Sequence, residues 1–113
     1  MEKKVLSLLE SKGYKCEKNV RILGSEFDIV GHKKGGILRS DEWIFVECKN
    51  KPRVVPSDFK KFLGNFELFC KKEKLERERV QAVFYTTGLF DVMVKKQASE
   101  FANIKLKRIS LKY

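Results

Sequence analysis

Trp43-Ile44-Phe45-Val46-Glu47-Cys48-Lys49-Asn50 is an apolar run, rich in aromatic and β-branched residues, that ends in Glu-x-Lys. Strand side chains alternate between faces, so Glu47 and Lys49 share one face and Cys48 takes the other. An acid and a base therefore sit together on a strand whose remaining residues read as buried. Upstream, Phe27-Asp28-Ile29-Val30 sets a second carboxylate in a shorter apolar run. A charge removed from water costs roughly several kcal/mol unless it is paired or bound to a metal. Both acids demand a partner.

If the strands carrying Asp28 and Glu47 are neighbours, their carboxylates converge. They repel unless Mg²⁺ or Mn²⁺ lies between them, and hard cations favour such oxygen ligands. A metal held this way polarises a phosphoryl oxygen and lowers the pKa of a bound water. Lys49, on the same face, would orient that water or neutralise charge building on a phosphate. This is a kit for hydrolysing a phosphodiester without histidine. Residue types alone leave a plainer reading open, with Asp28 capping a turn at a strand edge and Glu47–Lys49 a surface pair of little energetic weight. Glu-x-Lys is a weak motif by itself, since Glu2-Lys3-Lys4 also matches it.

Composition narrows the choice. Over 113 residues, 42% hydrophobic content supports one folded domain, 1–113, rather than a disordered tail. Lys and Arg number 25 against 15 Asp and Glu, a net charge of +10. A small domain this basic suits a polyanion, nucleic acid before an anionic membrane surface, although Lys can simply solvate a surface. Cys16, Cys48 and Cys70 include no Cys-x-x-Cys pair, and His32 is the sole histidine. A disulfide framework, a cysteine zinc site and a His-dependent triad are all poorly supplied. The start lacks the apolar core of a signal peptide, and no stretch reaches membrane-spanning length, so a cytoplasmic location with no membrane partner is expected.

Periodicity gives the elements. Val5, Leu6, Leu8 and Leu9 recur at helical spacing within residues 2–12, and Gly13 stops that helix. Residues 14–22 and 26–31 read as strands around a turn at 23–25. Residues 32–36 (His-Lys-Lys-Gly-Gly) read as a loop, with Ile37-Leu38 extending a hairpin before the third strand. Pro52 and Pro56 bracket a connection, and Ser57 is the expected N-cap of a helix starting at Asp58. Phe59, Phe62, Leu63, Phe66, Phe69 and Cys70 form its buried stripe, with Leu68 on the opposite side. Residues 80–87 are a strand ending at Gly88, Asp91 caps a helix through Ala102, and residues 104–111 are the last strand. The order is αβββαβαβ, with the first three strands antiparallel and a parallel crossover after them.

Asp28, followed by Glu47-Cys48-Lys49 after an apolar strand, resembles the PD-(D/E)xK nuclease superfamily, and the resemblance covers nearly the whole chain. It is most similar to the archaeal Holliday junction resolvase and Mrr-type restriction endonuclease branches. Gly13-Tyr14 at the end of the first helix, the segment from Gly24 to Val30, and Val46-Glu47-Cys48-Lys49 carry the likeness. The chain departs at Phe27, where the family motif has Pro, and its second helix lacks the Gln of RecB-like exonucleases. The resemblance implies an α/β, three-layer restriction-endonuclease-like fold around a central mixed sheet. It implies a metal-dependent endonuclease cutting DNA, including branched or modified forms, with Mg²⁺ or Mn²⁺ as cofactor. Asp28 and Glu47 would be metal ligands, the Cys48 carbonyl a backbone ligand, and Lys49 the catalytic lysine. The family's first-helix acid maps best to Glu2, which lies within the face of Val5, Leu6 and Leu9, whereas Glu10 falls on its flank.

Basic groups flanking the motif are the expected DNA-backbone contacts: Lys51, Arg53, Lys60 and Lys61 after it, Lys33 and Lys34 before it. Lys105, Lys107, Arg108 and Lys112 either extend that footprint or form the polar face of an edge strand. His32 reads as a solvated loop residue or phosphate contact, Ser25 and Glu26 as turn and edge residues, with Glu26 sharing the parity of Asp28 as an alternative outer partner, Trp43 as core and the Phe stripe as core or interface. Thr86-Thr87-Gly88 ends a strand where α/β sheets often host ligands. A homodimer would supply a second site for the second strand of a duplex. The alternative function is a non-catalytic nucleic-acid-binding module retaining the same fold; a third is an interaction subunit presenting the Phe-rich helix.

Overall fold

The computed structural model describes residues 1–20 and 27–110, with the backbone alone for Glu2, Asn19, Val20, Phe27 and Asp28. The expected turn at 23–25, Glu26, and the expected strand end at Ile22 lie outside the described residues, while the last strand stops at Arg108, short of the expected residue 111. The elements are α1 (Glu2–Ser11), β1 (Lys15–Val20), β2 (Phe27–Lys33), β3 (Glu42–Lys49), β4 (Arg53–Val54), α2 (Pro56–Lys72), β5 (Val80–Thr86), β6 (Leu89–Phe90), α3 (Val92–Ala98) and β7 (Ile104–Arg108).

One mixed sheet runs in the order β1-β2-β3-β5-β7. β1, β2 and β3 are antiparallel, as short connections require, while β3, β5 and β7 are parallel and joined through helices. β3 is central, so Ile44 to Cys48 are buried without a break. Burial on both faces explains the continuous apolar run.

The two faces carry separate cores. Val5 and Leu9 of α1 pack with Ile29, Ile44, Val46 and Cys48 on one side. Phe59, Phe62 and Phe66 of α2 and Val94 of α3 pack with Phe45 and Phe84 on the other. The result is a three-layer α/β/α arrangement. Each buried Phe or Leu removes apolar surface worth about 1.5–3 kcal/mol, which is what fixes the helices to the sheet.

Helix ends follow from local chemistry. Gly13 (φ 93°) ends α1 in the left-handed region, with Gly13 N–H donating to the Glu10 carbonyl and Tyr14 N–H to that of Leu9. α2 begins one residue before the expected Ser57 cap. Pro56 takes the first helical position, where its missing N–H costs nothing, and the Asp58 carboxylate reaches back to accept from Val55 N–H at 2.8 Å. Asp91 caps α3 by accepting from Met93 N–H at 2.9 Å, but that helix stops at Ala98 rather than Ala102.

Close approaches at Gly31 and Gly88 bear on how the strands pair. A Cβ on Gly31 would stand 2.7 Å from Ile44 Cγ2, and one on Gly88 would stand 2.1 Å from the Lys51 carbonyl oxygen. Gly88 thereby lets β6 lie beside β4, a two-strand parallel pair that periodicity does not reveal.

His32 is a correction: it belongs to β2, not to a loop. It pairs across the ladder with Trp43, stacks on that ring at 4.0 Å, and meets Asp41 at 2.8 Å. Ile37 and Leu38 do not extend the hairpin but lie exposed in the turn between β2 and β3.

Candidate active site

The β2–β3 register sets Asp28 directly opposite Glu47, and β5 sets Phe84 on Glu47's other side. Directly opposed residues share a sheet face. For Glu47 that is the face covered by α2. Its carboxylate is 1% exposed, and Asn65 of α2 donates its amide Nδ2 to Oε1 at 3.2 Å.

Lys49, two residues on, reaches the first turn of α2. Its Nζ lies 3.1 Å from Asp58 Oδ1, while Lys51 Nζ lies 2.7 Å from Oδ2. Asp58 is thus gripped by two ammonium groups and the Val55 N–H, in a position that is 8% exposed. Burial pushes its carboxyl up. The hydrogen bonds from Lys51, Val55 N–H and Lys49 outweigh that and hold it below the usual carboxylate range.

Around the end of β3, short contacts fix the chain after the motif. Thr87 Oγ1 donates to Asn50 Oδ1 at 2.5 Å, Gly88 N–H donates to the buried Thr86 Oγ1, and Leu89 N–H donates to the Pro52 carbonyl at 2.9 Å. Thr86-Thr87-Gly88 thus serves as a brace for the motif loop. Asp58 and Asn65 are the site neighbours that sequence reasoning misses. Asp58 reads only as a residue suited to the helix dipole, though its seven-residue step from Lys51 bridges the loop. Asn65 sits on the same helix side as Phe62 and Phe66, a signal that a helical projection does carry.

The remaining expected residues separate. Cys48 is fully buried on the α1 side. α1, with Glu2, also packs on that side, and the Glu2 side chain is not described. Glu10 is exposed on the same helix. Lys51 is tied to Asp58 rather than presented to solvent alone, and Arg53 meets Asp91 at 3.6 Å. Lys60 and Lys61 are exposed on α2. Lys33 ends β2 rather than lying in a loop and Lys34 follows it, both at the end of the sheet away from Lys49; Lys33 faces Glu42 at 3.7 Å and the Tyr14 ring at 4.9 Å.

Beside the carboxylate a groove of about 820 Å³ opens between α2 and the β1–β2 half of the sheet. Asn65 forms part of its wall, and Trp43, Phe45 and His32 part of its floor. Trp43 is half-buried there, at the rim of the core rather than inside it.

The donor chemistry fits a hard cation. Glu47 supplies a desolvated carboxylate, and Asp28 holds the facing register position. Among the described residues, which omit the Asp28 and Glu2 side chains, no three His, Cys, Asp or Glu side chains gather for a metal. No helix among them is long and apolar enough to cross a membrane.

By sequence, no family model and no curated protein matches the chain. By structure it is similar to EndoMS in its apo form (TM-score 0.67, 11% identity), covering 100% of this chain and 48% of that one. It is also similar to AF1548, a protein of unknown function (TM-score 0.66, 25% identity, 96% and 56%). A repair endonuclease from Pyrococcus abyssi is a third (TM-score 0.63, 12% identity, 99% and 48%). The chain spans about half the length of each. Element order, mixed sheet and these neighbours agree: this chain has a restriction-endonuclease-like α/β fold, shared with EndoMS and the Pyrococcus abyssi repair endonuclease.

Proposed function

We propose that the chain is a metal-dependent endonuclease domain that hydrolyses phosphodiester bonds in DNA, with branched or modified DNA as its substrate class. The observation that carries this is the Asp28–Glu47 register with Lys49 two residues on, joined through Asn65 to the wall of an open groove. Neighbours of the same fold support it: one is named a repair endonuclease, and EndoMS is described in complex with double-stranded DNA.

Asp28 and Glu47 would hold Mg²⁺ or Mn²⁺, with the Cys48 carbonyl as a backbone ligand and Glu2 as the first-helix acid. The chemistry such an ion supplies is polarisation of a phosphoryl oxygen and a lowered pKa for water. Asn65 fixes one Glu47 oxygen, which orients the carboxylate. Lys49 presents a proton-bearing ammonium toward charge that builds on the phosphate. Asp58 holds that ammonium on the α2 side of the strand. Lys51, Arg53, Lys60 and Lys61 would line the phosphate backbone near the site, and Lys33 and Lys34 would meet it farther along.

The test is strand scission on a panel of linear, flap and four-way-junction DNAs with Mg²⁺ or Mn²⁺. Wild type is expected to nick, and Asp28→Ala, Glu47→Ala and Lys49→Ala to lose cutting by at least about a hundredfold while keeping DNA binding. Intact DNA from wild type under both metals would refute the reading. The Lys49–Asp58 ion pair favours one rival, a non-catalytic DNA-binding module in which that lysine is purely structural; EDTA-indifferent binding without scission would support it. The interaction-subunit reading loses its basis, because Phe59, Phe62 and Phe66 are buried against the chain's own sheet.

A further inference from the structure

The groove beside Glu47 has a composition that a phosphate chain does not require. Across the sheet the register forms three successive rows on the α2 face. These are Lys15-His32-Trp43, then Glu17-Val30-Phe45, then Asn19-Asp28-Glu47. The first two rows floor the groove, and Phe69 and Asn65 of α2 wall it. Its lysines and glutamates balance, Lys15 and Lys72 against Glu17 and Glu73, and the His32 imidazole is held by Asp41. A cleft of this size, aromatic below and polar at the edges with no excess of either charge, suits a flat heteroaromatic ligand with hydrogen-bonding edges.

Trp43 and His32 lie nearly parallel, 12° apart with centroids at 4.0 Å, and Phe69 tilts against Trp43 at 6.3 Å. From this we infer that the groove seats an unpaired nucleobase of the strand being cut, stacked against the Trp43–His32 pair. The inference rests on the nuclease reading and adds to it what the site selects. A base inside a duplex offers its face only to neighbouring bases, so aromatic side chains in a groove can reach it only when it is unstacked. Trp43 stands four residues from Glu47 along β3, about 13 Å. That is about four nucleotides at the 3.4 Å rise of a stacked strand. The selected base therefore lies close to the scissile phosphate, and Asn65 belongs to both regions.

Trp43 is the chain's only tryptophan, so its emission reports on the groove without any need for cutting. The experiment titrates the protein in EDTA into two end-labelled duplexes of equal length, one fully paired and one carrying an unpaired base in a bulge, with affinity read from the anisotropy of the label and the groove from Trp43 emission. The bulged duplex is expected to bind about tenfold more tightly and to quench Trp43, while the paired duplex leaves the emission unchanged. Trp43→Leu, which keeps apolar volume, and His32→Ala, which leaves the tryptophan in place, should each bring the preference close to one without weakening binding to paired DNA. Equal affinity for both duplexes with unmoved Trp43 emission overturns the base site and leaves the nuclease reading standing. Failure to bind either duplex overturns both.

Discussion

Glu47 and Lys49 are two residues apart on one strand, yet they depend on different parts of α2: Glu47 on Asn65 in its middle, Lys49 on Asp58 in its first turn. Asp58 is the joint between the motif and the helix. Asp58→Asn leaves two lysines beside a neutral amide and is expected to cost about 1–3 kcal/mol, measured by urea unfolding at neutral pH. The pH dependence has a definite sign. The folded Asp58 carboxyl is held below its ordinary value, so its stabilisation is fully present above the unfolded carboxylate range. It is lost as pH falls through the depressed folded value. Wild type and Asp58→Asn should therefore differ most above about pH 5 and converge in strong acid; a gap that widens toward low pH would contradict this. The motif residues are legible in the sequence because alternation on a strand fixes their face. Asp58 is not, because its role depends on where a helix starts; a helical projection gives the side of Asn65 but not its partner, which depends on how the helix lies across the sheet. Trp43 misleads for a related reason: an aromatic at a strand's outer end belongs to the core on one edge and to a groove on the other.

Helix α2 holds the architecture together through a stripe that periodicity makes plain. Phe62 and Phe66 are fully buried against Phe45 and Phe84. Phe66→Ala should destabilise by about 3–5 kcal/mol, whereas Leu68→Ser, on the exposed side, should stay within about 0.5 kcal/mol. Just past the end of the helix Lys74 takes φ 55°, with Leu75 N–H donating to the Cys70 carbonyl at 2.8 Å. A left-handed residue with a side chain is strained there, so Lys74→Gly should raise stability by about 0.5–1 kcal/mol, read as a shift in the urea midpoint. Element order, strand pairing and the parallel crossover follow from periodicity and connection length. The β4–β6 pair does not, because two residues carry no period. His32 reads as loop in the sequence because Lys-Lys-Gly-Gly follows it. Those residues impose a turn only from residue 34 onward, while cross-strand stacking with Trp43 keeps His32 in the ladder.

At the scale of the whole molecule, a charge of +10 sets how DNA affinity should respond to salt. Removing one lysine–phosphate pairing lowers the slope of log affinity against log salt by about 0.9. Lys60 and Lys61 are exposed on the helix that covers the motif face, so the double Ala variant should reduce the slope by about 1.8 and leave folding intact. An unchanged slope would move the footprint elsewhere on the surface. The three layers give this basic surface a fixed relation to the acidic pair: α2 covers the parallel half of the sheet, and the antiparallel half remains open as the groove. The proposed function rests on a cation held between Asp28 and Glu47. The direct measurement is calorimetric titration of Mn²⁺ into wild type, Asp28→Asn and Glu47→Gln. Wild type should bind the ion and both variants should lose at least about tenfold in affinity; affinity equal in all three, or none in the wild type, would contradict the site.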